Sequence, residues 1–153
     1  MKKVYDTINQ YCVEHELLTN GDGIVIGLSG GMDSVCLLQV LAALRNEWQL
    51  RLVCVHVHHG IRGTAADEDA AFAQRLAAKY NISFRLYEMD IPQLAKEQGL
   101  SEEEAGRNYR YRCFEEVRKE LNFDKIAVAH HRDDQAETVL WQILRGSGLR
   151  GVC

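Results

Sequence analysis

Gly23-Ile-Val-Ile-Gly-Leu-Ser-Gly-Gly-Met-Asp-Ser34 combines signals for a strand, a turn and the start of a helix. Its mostly apolar residues 24–28 predict a buried strand. Ser29-Gly30-Gly31 follows directly, and paired glycines allow a sharp turn that leaves backbone amides uncovered. Asp33 and Ser34 stand where a helix would be capped, ahead of apolar residues at helical spacing. A strand, a glycine turn and a helix start in this order direct N–H groups and a positive helix dipole at one point, which is typical of a phosphate site.

This glycine turn differs from two common phosphate-binding turns. A Walker A loop ends in Gly-Lys-Ser/Thr, which is absent here. The dinucleotide-binding turn has spaced glycines, whereas the glycines of this turn are adjacent. Ser-Gly-Gly-x-Asp-Ser instead resembles the PP-loop, the pyrophosphate loop of ATP-dependent enzymes that adenylate a carbonyl oxygen. Asp33 adds a carboxylate that could hold Mg²⁺ against the phosphates. The alternative is a glycine turn that serves only close strand–helix packing. The residues predicted to bind ATP are Ser29, Gly30, Gly31, Met32, Asp33 and Ser34.

Length and composition indicate one globular domain over residues 1–153. Hydrophobic residues make up 46% of the chain and charged residues 26%, which is typical of a folded protein with a core. No apolar stretch approaches membrane-spanning length, and the first residues lack the hydrophobic region of a signal peptide. The five cysteines are scattered, with no Cys-x-x-Cys pair. We therefore expect reduced thiols in a cytoplasmic protein, with Cys36 and Cys54 in the core.

The charge of the chain is weakly acidic overall and locally basic. A formal net charge of −4 argues against a strong RNA-binding protein acting through charge alone. The basic residues are uneven, however. Several fall within residues 107–119, and Arg145 and Arg150 lie near the end.

Strands and helices alternate along the chain. This alternation predicts an α/β fold, a doubly wound parallel sheet with helices on both faces. In such sheets ligands bind beyond the carboxyl ends of the strands. Ser29–Ser34, His56–Arg62 and His130–Asp134 all follow strands and should meet there. Strands are predicted at 24–28, 50–57, 82–89 and 125–129, and helices at 3–18, at 33–46, from 67 and at 133–144. Residues 91–98 are predicted to form a short helix or a loop. The capping box Ser101-Glu-Glu-Glu104 predicts the start of a long helix that runs to about residue 121.

His130-His-Arg-Asp-Asp-Gln-Ala-Glu-Thr138 leaves the fourth predicted strand. In a helix starting near Asp133, the carboxylates of Asp133, Asp134 and Glu137 would occupy adjoining positions on one face. They could bind Mg²⁺ or hold an ammonium group. A transition-metal site is less favoured, because adjacent histidines point in different directions. The structural alternative is an acidic helix start that complements the helix dipole.

Two further groups of residues follow the same logic. His56, His58 and His59 end the second strand, and we expect them to hydrogen-bond to loops rather than bind a metal. Arg62, just beyond them, could reach a phosphate or an RNA backbone. Arg107 and Arg110 lie three apart on a predicted helix beside aromatic residues, an arrangement that suits capture of phosphate or carboxylate.

These segments, taken in order, closely resemble the tRNA(Ile)-lysidine synthetase family, within the PP-loop (adenine nucleotide alpha hydrolase-like) superfamily. The resemblance rests on five motifs, from about residue 23 to the end: GLSGGMDS, HVHHGIRG, GRNYRY, AHHRDDQAET and RGSGLRG. It implies that ATP adenylates the wobble cytidine of an isoleucine tRNA with a CAU anticodon. The amine of free L-lysine then displaces AMP to give lysidine.

The resemblance also implies roles for individual residues. Asp33, Arg110, Asp133 and Glu137 would be catalytic, with Asp33 holding Mg²⁺ or taking a proton from the amine. Arg62, Arg107, Arg110, Asp134 and Glu137 would contact lysine or tRNA.

The chain also departs from the family pattern. Family members often carry Asp or Asn where this chain has His58, and they continue past the last motif. The resemblance therefore implies the catalytic core of a longer enzyme, cut at its carboxyl end. A homodimer is the oligomeric state expected of the whole enzyme. The rival hypotheses are a PP-loop tRNA thiolase, which would need paired cysteines, an ammonia- or glutamine-using amidase, and a nucleotide-binding module without chemistry.

Overall fold

A computed structural model describes residues 2–14, 16–29, 31–60, 64–131, 139–144 and 149–152. Within these ranges no helix is long and apolar enough to cross a membrane. The helices are α1 (Lys2–Glu14), α2 (Met32–Trp48), α3 (Thr64–Lys79), α4 (Ile91–Gln98) and α5 (Glu102–Leu121). The strands are β1 (Gly23–Gly27), β2 (Arg51–His58), β3 (Ser83–Glu88), β4 (Lys125–His131), β5 (Val139–Leu144) and β6 (Leu149–Val152).

The sheet is built around β1. Its order is β3-β2-β1-β4-β5-β6, and β1 pairs in parallel with both β2 and β4. All five residues of β1 are buried, as expected for the central strand of a sheet covered on both faces. The carboxyl ends of β1, β2 and β4 therefore reach the same edge of the sheet.

Two apolar layers cover the two faces of the sheet. Ile24 and Ile26 of β1 pack in a cluster with buried residues of α1, α2 and α3. Val25 points to the other face, where it joins a cluster that includes Phe114 and Val117 of α5. This alternation along β1 places helices on both faces. The predicted α/β class and the four parallel strands are thus confirmed.

At Gly27, the last residue of β1, a side chain of α5 packs directly against the strand. A Cβ atom built on Gly27 would lie 2.8 Å from Cζ of Phe114, which is too close for any side chain. The aromatic ring occupies the space that a side chain would need. The second glycine of the opening stretch therefore serves packing, and it positions α5 over the end of β1.

The prediction of a helix over 133–144 is wrong for residues 139–144. These residues form β5, antiparallel to β4, with Val139 opposite His131 and Leu144 opposite Ile126. The segment Val-Leu-Trp-Gln-Ile-Leu is rich in β-branched and aromatic residues, which suit a strand. Pairing with it satisfies the backbone groups of β4 on the side away from β1. Residues 132–138, which carry the predicted acidic face, lie outside the described residues.

Several helix boundaries also differ from prediction; α3 begins at Thr64 rather than at residue 67, and α2 ends at Trp48 rather than near residue 46. Gly31, rather than Asp33 or Ser34, is the N-cap of α2, with φ −78° and ψ 165° and no side-chain cap. The helix α1 ends at Glu14 instead of residue 18, because Glu16 adopts a left-handed φ of 52°. By contrast, α5 begins as the capping motif predicts, with the Ser101 side chain accepting a hydrogen bond from N–H of Glu104.

A buried ion pair joins the amino ends of β1 and β4. Lys125 is 1% exposed, and its Nζ lies 2.6 Å from Oδ2 of Asp22. The same Nζ donates to the carbonyl of Leu17, and Asp22 accepts a second hydrogen bond from N–H of Thr19 at 2.8 Å. Each charge thus has more than one partner, as a buried ion requires.

We expect Asp22→Ala to lower the free energy of unfolding by about 3–5 kcal/mol, because it leaves the Lys125 ammonium buried without its counter-ion. Urea titration followed by circular dichroism measures this change. Glu97→Ala is the matched control, since Glu97 is an exposed carboxylate whose hydrogen bond within the described part of the chain is to Gln93. Its removal should change stability by less than about 0.5 kcal/mol. Equal effects of the two substitutions would contradict the assigned role of the buried pair.

Candidate functional site

A cavity of about 200 Å³ opens at the carboxyl ends of β1, β2 and β4, between α3 and α5. This is the edge at which the sequence predicts ligand binding. Its wall is apolar where the strands end and polar where the histidines and arginines enter. The residues that line it are Gly27, Leu28, Ser29, Val55, His56, Val57, His58, His59, Ala66, Asp69, Arg107, Arg110, Tyr111, Phe114, Val128 and Ala129.

The hydroxyl of Ser34 organises the loop between β1 and α2. It is buried, donates to the carbonyl of Gly31 at 2.9 Å and accepts from N–H of Ser29 at 3.2 Å. The hydroxyl of Ser29 lies 3.1 Å from it and accepts from N–H of Gly31 at 3.2 Å. The two serines thus fold the loop back onto the first turn of α2. Asp33, in that turn, is partly buried.

His56 is anchored to the end of β1. Its Nδ1 lies 2.6 Å from the carbonyl oxygen of Leu28, and the residue is 5% exposed. Burial lowers the pKa of His56 below its ordinary value of 6.5, although the bond to Leu28 and the charge of Asp69 oppose this shift. The imidazole is therefore neutral at pH 7.

His58 closes the turn that follows β2. N–H of Gly60 donates to its Nδ1 at 2.9 Å, so its Nε2 carries the proton and donates to Oδ1 of Asp67 at 2.7 Å. The ring bridges the strand end, the turn and the first turn of α3. An Asp or Asn at this position can accept the same i+2 amide hydrogen bond in an Asx turn. The prediction that the strand-end histidines hydrogen-bond to loops is confirmed for His56 and His58.

Arg110 carries positive charge into the cavity from α5. Its side chain is half-buried, and within the described part of the chain its guanidinium forms no hydrogen bond or ion pair. Burial, followed by the nearby charge of Arg107, lowers the pKa of Arg110, while Tyr111 and Glu103 raise it. Arginine remains charged in proteins, so the chemistry of this guanidinium suits an anion. Arg107 lines the same cavity and is more exposed.

A second, outer groove of about 730 Å³ continues from the cavity between α3, α4 and α5. The two spaces share His59, Ala66, Asp69 and Arg110. Ile91 and Pro92 form an apolar part of the outer groove, and Glu102 and Glu103 line it as well. The paired spaces offer room for a ligand larger than the cavity alone could hold.

The structure brings together part of the predicted site. Ser29, Arg107 and Arg110 line the cavity, and Gly31, Met32, Asp33 and Ser34 follow Ser29 at the start of α2. Gly30, Arg62, Asp133, Asp134 and Glu137 lie outside the described residues, so their predicted roles remain predictions.

Asp69 and His56 line the cavity but are not among the site residues predicted from the sequence. Asp69 reads as one of three acidic residues that complement the dipole of α3, yet it lines both spaces. Only the packing of α3 against β2 shows this. The sequence did contain a weak indication for His56, since a polar residue inside an apolar strand needs a partner.

Cys54 is buried in the core, as predicted, and Cys36 is partly buried against it.

Gly60 follows β2 and packs closely against the backbone of Met89 and Asp90. Its φ is +83°, and an added Cβ would lie 2.5 Å from the carbonyl oxygen of Met89. Gly99 offers a matched control, with φ +67° and no atom within 4 Å of an added Cβ.

We expect Gly99→Ala to cost about 1–2 kcal/mol for the left-handed backbone alone. Gly60→Ala should cost clearly more, because backbone atoms block the methyl group. Chemical denaturation of both variants measures the difference, and equal costs would contradict the crowding argument.

Comparisons with known proteins agree with this architecture. The family model described as "PP-loop domain" matches residues 2–153. A tRNA(Ile)-lysidine synthase of Caldanaerobacter subterraneus subsp. tengcongensis is 49% identical over 99% of this chain. The enzyme of the same name from Clostridium tetani is 41% identical over 97%. The chain spans about a third of the length of these relatives, 32% and 31% respectively.

Two solved structures share the fold at low sequence identity. The U34-tRNA thiolase of Methanococcus maripaludis, with its [4Fe-4S] cluster, superposes with a TM-score of 0.64 at 21% identity, covering 85% of this chain and 46% of that one. The NH3-dependent NAD synthetase of Campylobacter jejuni gives a TM-score of 0.55 at 20% identity, covering 82% and 52%. At these identities the likeness concerns the fold alone.

Proposed function

Because the chain belongs to the PP-loop family, we propose that residues 1–153 are the nucleotide-binding domain of a cytoplasmic tRNA(Ile)-lysidine synthase. One observation supports this most directly. The serine-organised loop at residues 29–34 adjoins a strand-edge cavity into which Arg110 brings a guanidinium with no partner among the described residues. ATP would place its phosphates at the loop and its nucleoside in the cavity. The two relatives of this name described above match almost the whole chain at 49% and 41% identity.

The reaction would proceed in two displacements. The position-2 oxygen of the wobble cytidine attacks the α-phosphorus of ATP, and pyrophosphate leaves. The side-chain amine of lysine then attacks carbon 2, loses a proton and expels AMP. Arg107 and Arg110 would bind phosphate or the lysine carboxylate. The ammonium group of lysine would be held, before it reacts, by Asp133, Asp134 and Glu137. Arg62 would contact the substrate, an isoleucine tRNA with a CAU anticodon.

In this reaction Asp33 would hold Mg²⁺. Mg²⁺ commonly takes one or two carboxylates and completes its shell with phosphate oxygens and water, which fits a single carboxylate in the first turn of α2. Among the described residues no three His, Cys, Asp or Glu side chains cluster as a metal site, so ATP itself would supply other ligands. The ion would neutralise charge on the phosphates. Proton transfer from the lysine amine is the alternative role for Asp33.

We expect Arg110→Gln to weaken ATP binding by roughly 10- to 100-fold, the effect of losing a charged hydrogen-bond partner. Isothermal titration calorimetry on the 153-residue chain measures it. Arg112→Gln is the matched control, because it removes the same charge from an exposed position of the same helix that does not line the cavity. Equal losses in both variants would mean that general charge, rather than the position of Arg110, governs binding.

We expect the longer protein, of the length of the relatives, to exchange labelled pyrophosphate into ATP with tRNA but without lysine. Lysidine should form only when lysine is added. Glu137→Ala should then raise the lysine concentration required for half-maximal rate more than the ATP concentration, unless Glu137 binds Mg²⁺, in which case both rise. Mass spectrometry of the tRNA identifies the product. Equal modification with ammonia or a sulfur donor would contradict lysine as the nucleophile and favour the amidase or thiolase alternatives.

A further inference from the structure

The second ring nitrogen of His56 is a buried polar atom without a protein partner. Nδ1 is bound to the carbonyl of Leu28, but among the described residues nothing hydrogen-bonds to Nε2. The residue is 5% exposed and lines the cavity. Buried polar atoms in native proteins are nearly always paired with protein, water or ligand. Nε2 therefore calls for a partner inside the cavity.

The bond to Leu28 fixes which role Nε2 plays. A carbonyl oxygen only accepts hydrogen bonds, so Nδ1 must carry a proton. In a neutral imidazole Nε2 then carries none and acts as an acceptor. The titratable groups near the ring are Asp69 on α3 and, on its own strand end, His58 and His59. Arg110 of α5 enters the same cavity. Among the described residues none of these supplies a proton donor to Nε2.

We propose that His56 is a specificity-determining residue, whose Nε2 accepts a hydrogen bond from an N–H or O–H donor of the nucleoside bound in the cavity. This inference rests on the proposed function, because it requires the nucleoside of ATP in that cavity. The donor is the 6-amino group of adenine or a ribose hydroxyl, which present the same chemistry to an acceptor. A nucleotide without the donor would leave Nε2 buried and unpaired, and such a mismatch is strongly rejected.

Two substitutions separate the two nitrogens of His56. In His56→Asn the side-chain amide can still donate to Leu28, but no atom reaches the position of Nε2. In His56→Gln the longer side chain can bring an amide oxygen near that position, while the bond to Leu28 is lost. Thermal unfolding followed by circular dichroism checks that both variants fold.

Calorimetry with four ligands then identifies the donor. The ligands are ATP, inosine triphosphate, which has a carbonyl in place of the 6-amino group, and the 2′-deoxy and 3′-deoxy forms of ATP. We expect the unsubstituted chain to bind ATP about tenfold or more tightly than one of the three analogues, which corresponds to one buried hydrogen bond. The group that this weaker-binding analogue lacks is the hydrogen-bond donor to Nε2.

His56→Asn should weaken ATP to the level of that analogue and leave the analogue itself unchanged within about twofold. His56→Gln should keep most of the discrimination. The readout is the affinity for ATP divided by the affinity for the analogue, both measured on the same variant. A loss of binding that affects both ligands equally therefore leaves this ratio unchanged. If His56→Asn does not fold, His56→Leu gives the same ratio.

The inference is wrong if the ratio of ATP to every analogue is the same in the unsubstituted chain and in His56→Asn. It is equally wrong if His56→Gln loses discrimination as completely as His56→Asn, since the bond to Leu28 would then carry the effect. A chain that does not bind ATP at all would instead overturn the proposed function.

Discussion

Both polar groups of the Leu28 backbone form hydrogen bonds with β2. Its N–H donates to the carbonyl of Val55 at 2.9 Å, and its carbonyl accepts from Nδ1 of His56 at 2.6 Å. The chain therefore leaves the sheet at a fixed point before it enters the loop at residues 29–34. One residue earlier, Gly27 admits the ring of Phe114 and so sets the position of α5. The loop, the buried histidine and the arginine-bearing helix are all placed relative to this one strand end.

The main features of the fold could be predicted because they depend on local patterns. The apolar run at 24–28, the turn at 29–31 and the capping residue Ser101 each act within a few residues. The shared edge of the site then followed from a general rule, since parallel strands bring their carboxyl ends together. The helix prediction for residues 139–144 was wrong because the apolar residues of this segment fit both a helix face and a strand. Only the neighbouring strand β4 decides between the two.

The polar details of the site depend on contacts between distant segments. The sequence identifies His58 only as a strand-end histidine, but its two ring nitrogens hydrogen-bond to Gly60 and Asp67 and so connect the end of β2 to α3. Asp69 reads as a dipole-compensating charge, yet the packing of α3 on β2 brings it to the cavity. Gly31 reads as a turn residue, but its φ of −78° is open to any amino acid. None of these roles is visible in residue type or spacing alone.

The link between β1 and β4 has a consequence for the order of folding. Asp22 and Lys125 are 103 positions apart, and N–H of Gly23 donates to Asp124 across 101 positions. During synthesis β1 can pair with β2 early, but its other edge stays open until the segment from residue 124 emerges from the ribosome. An open apolar strand edge is prone to pair with other chains. Closing so long a segment is also slow. The nascent chain should therefore be most dependent on chaperones just before β4 appears, and substitutions that delay this pairing should show up as lower soluble yield before they lower the stability of the folded protein.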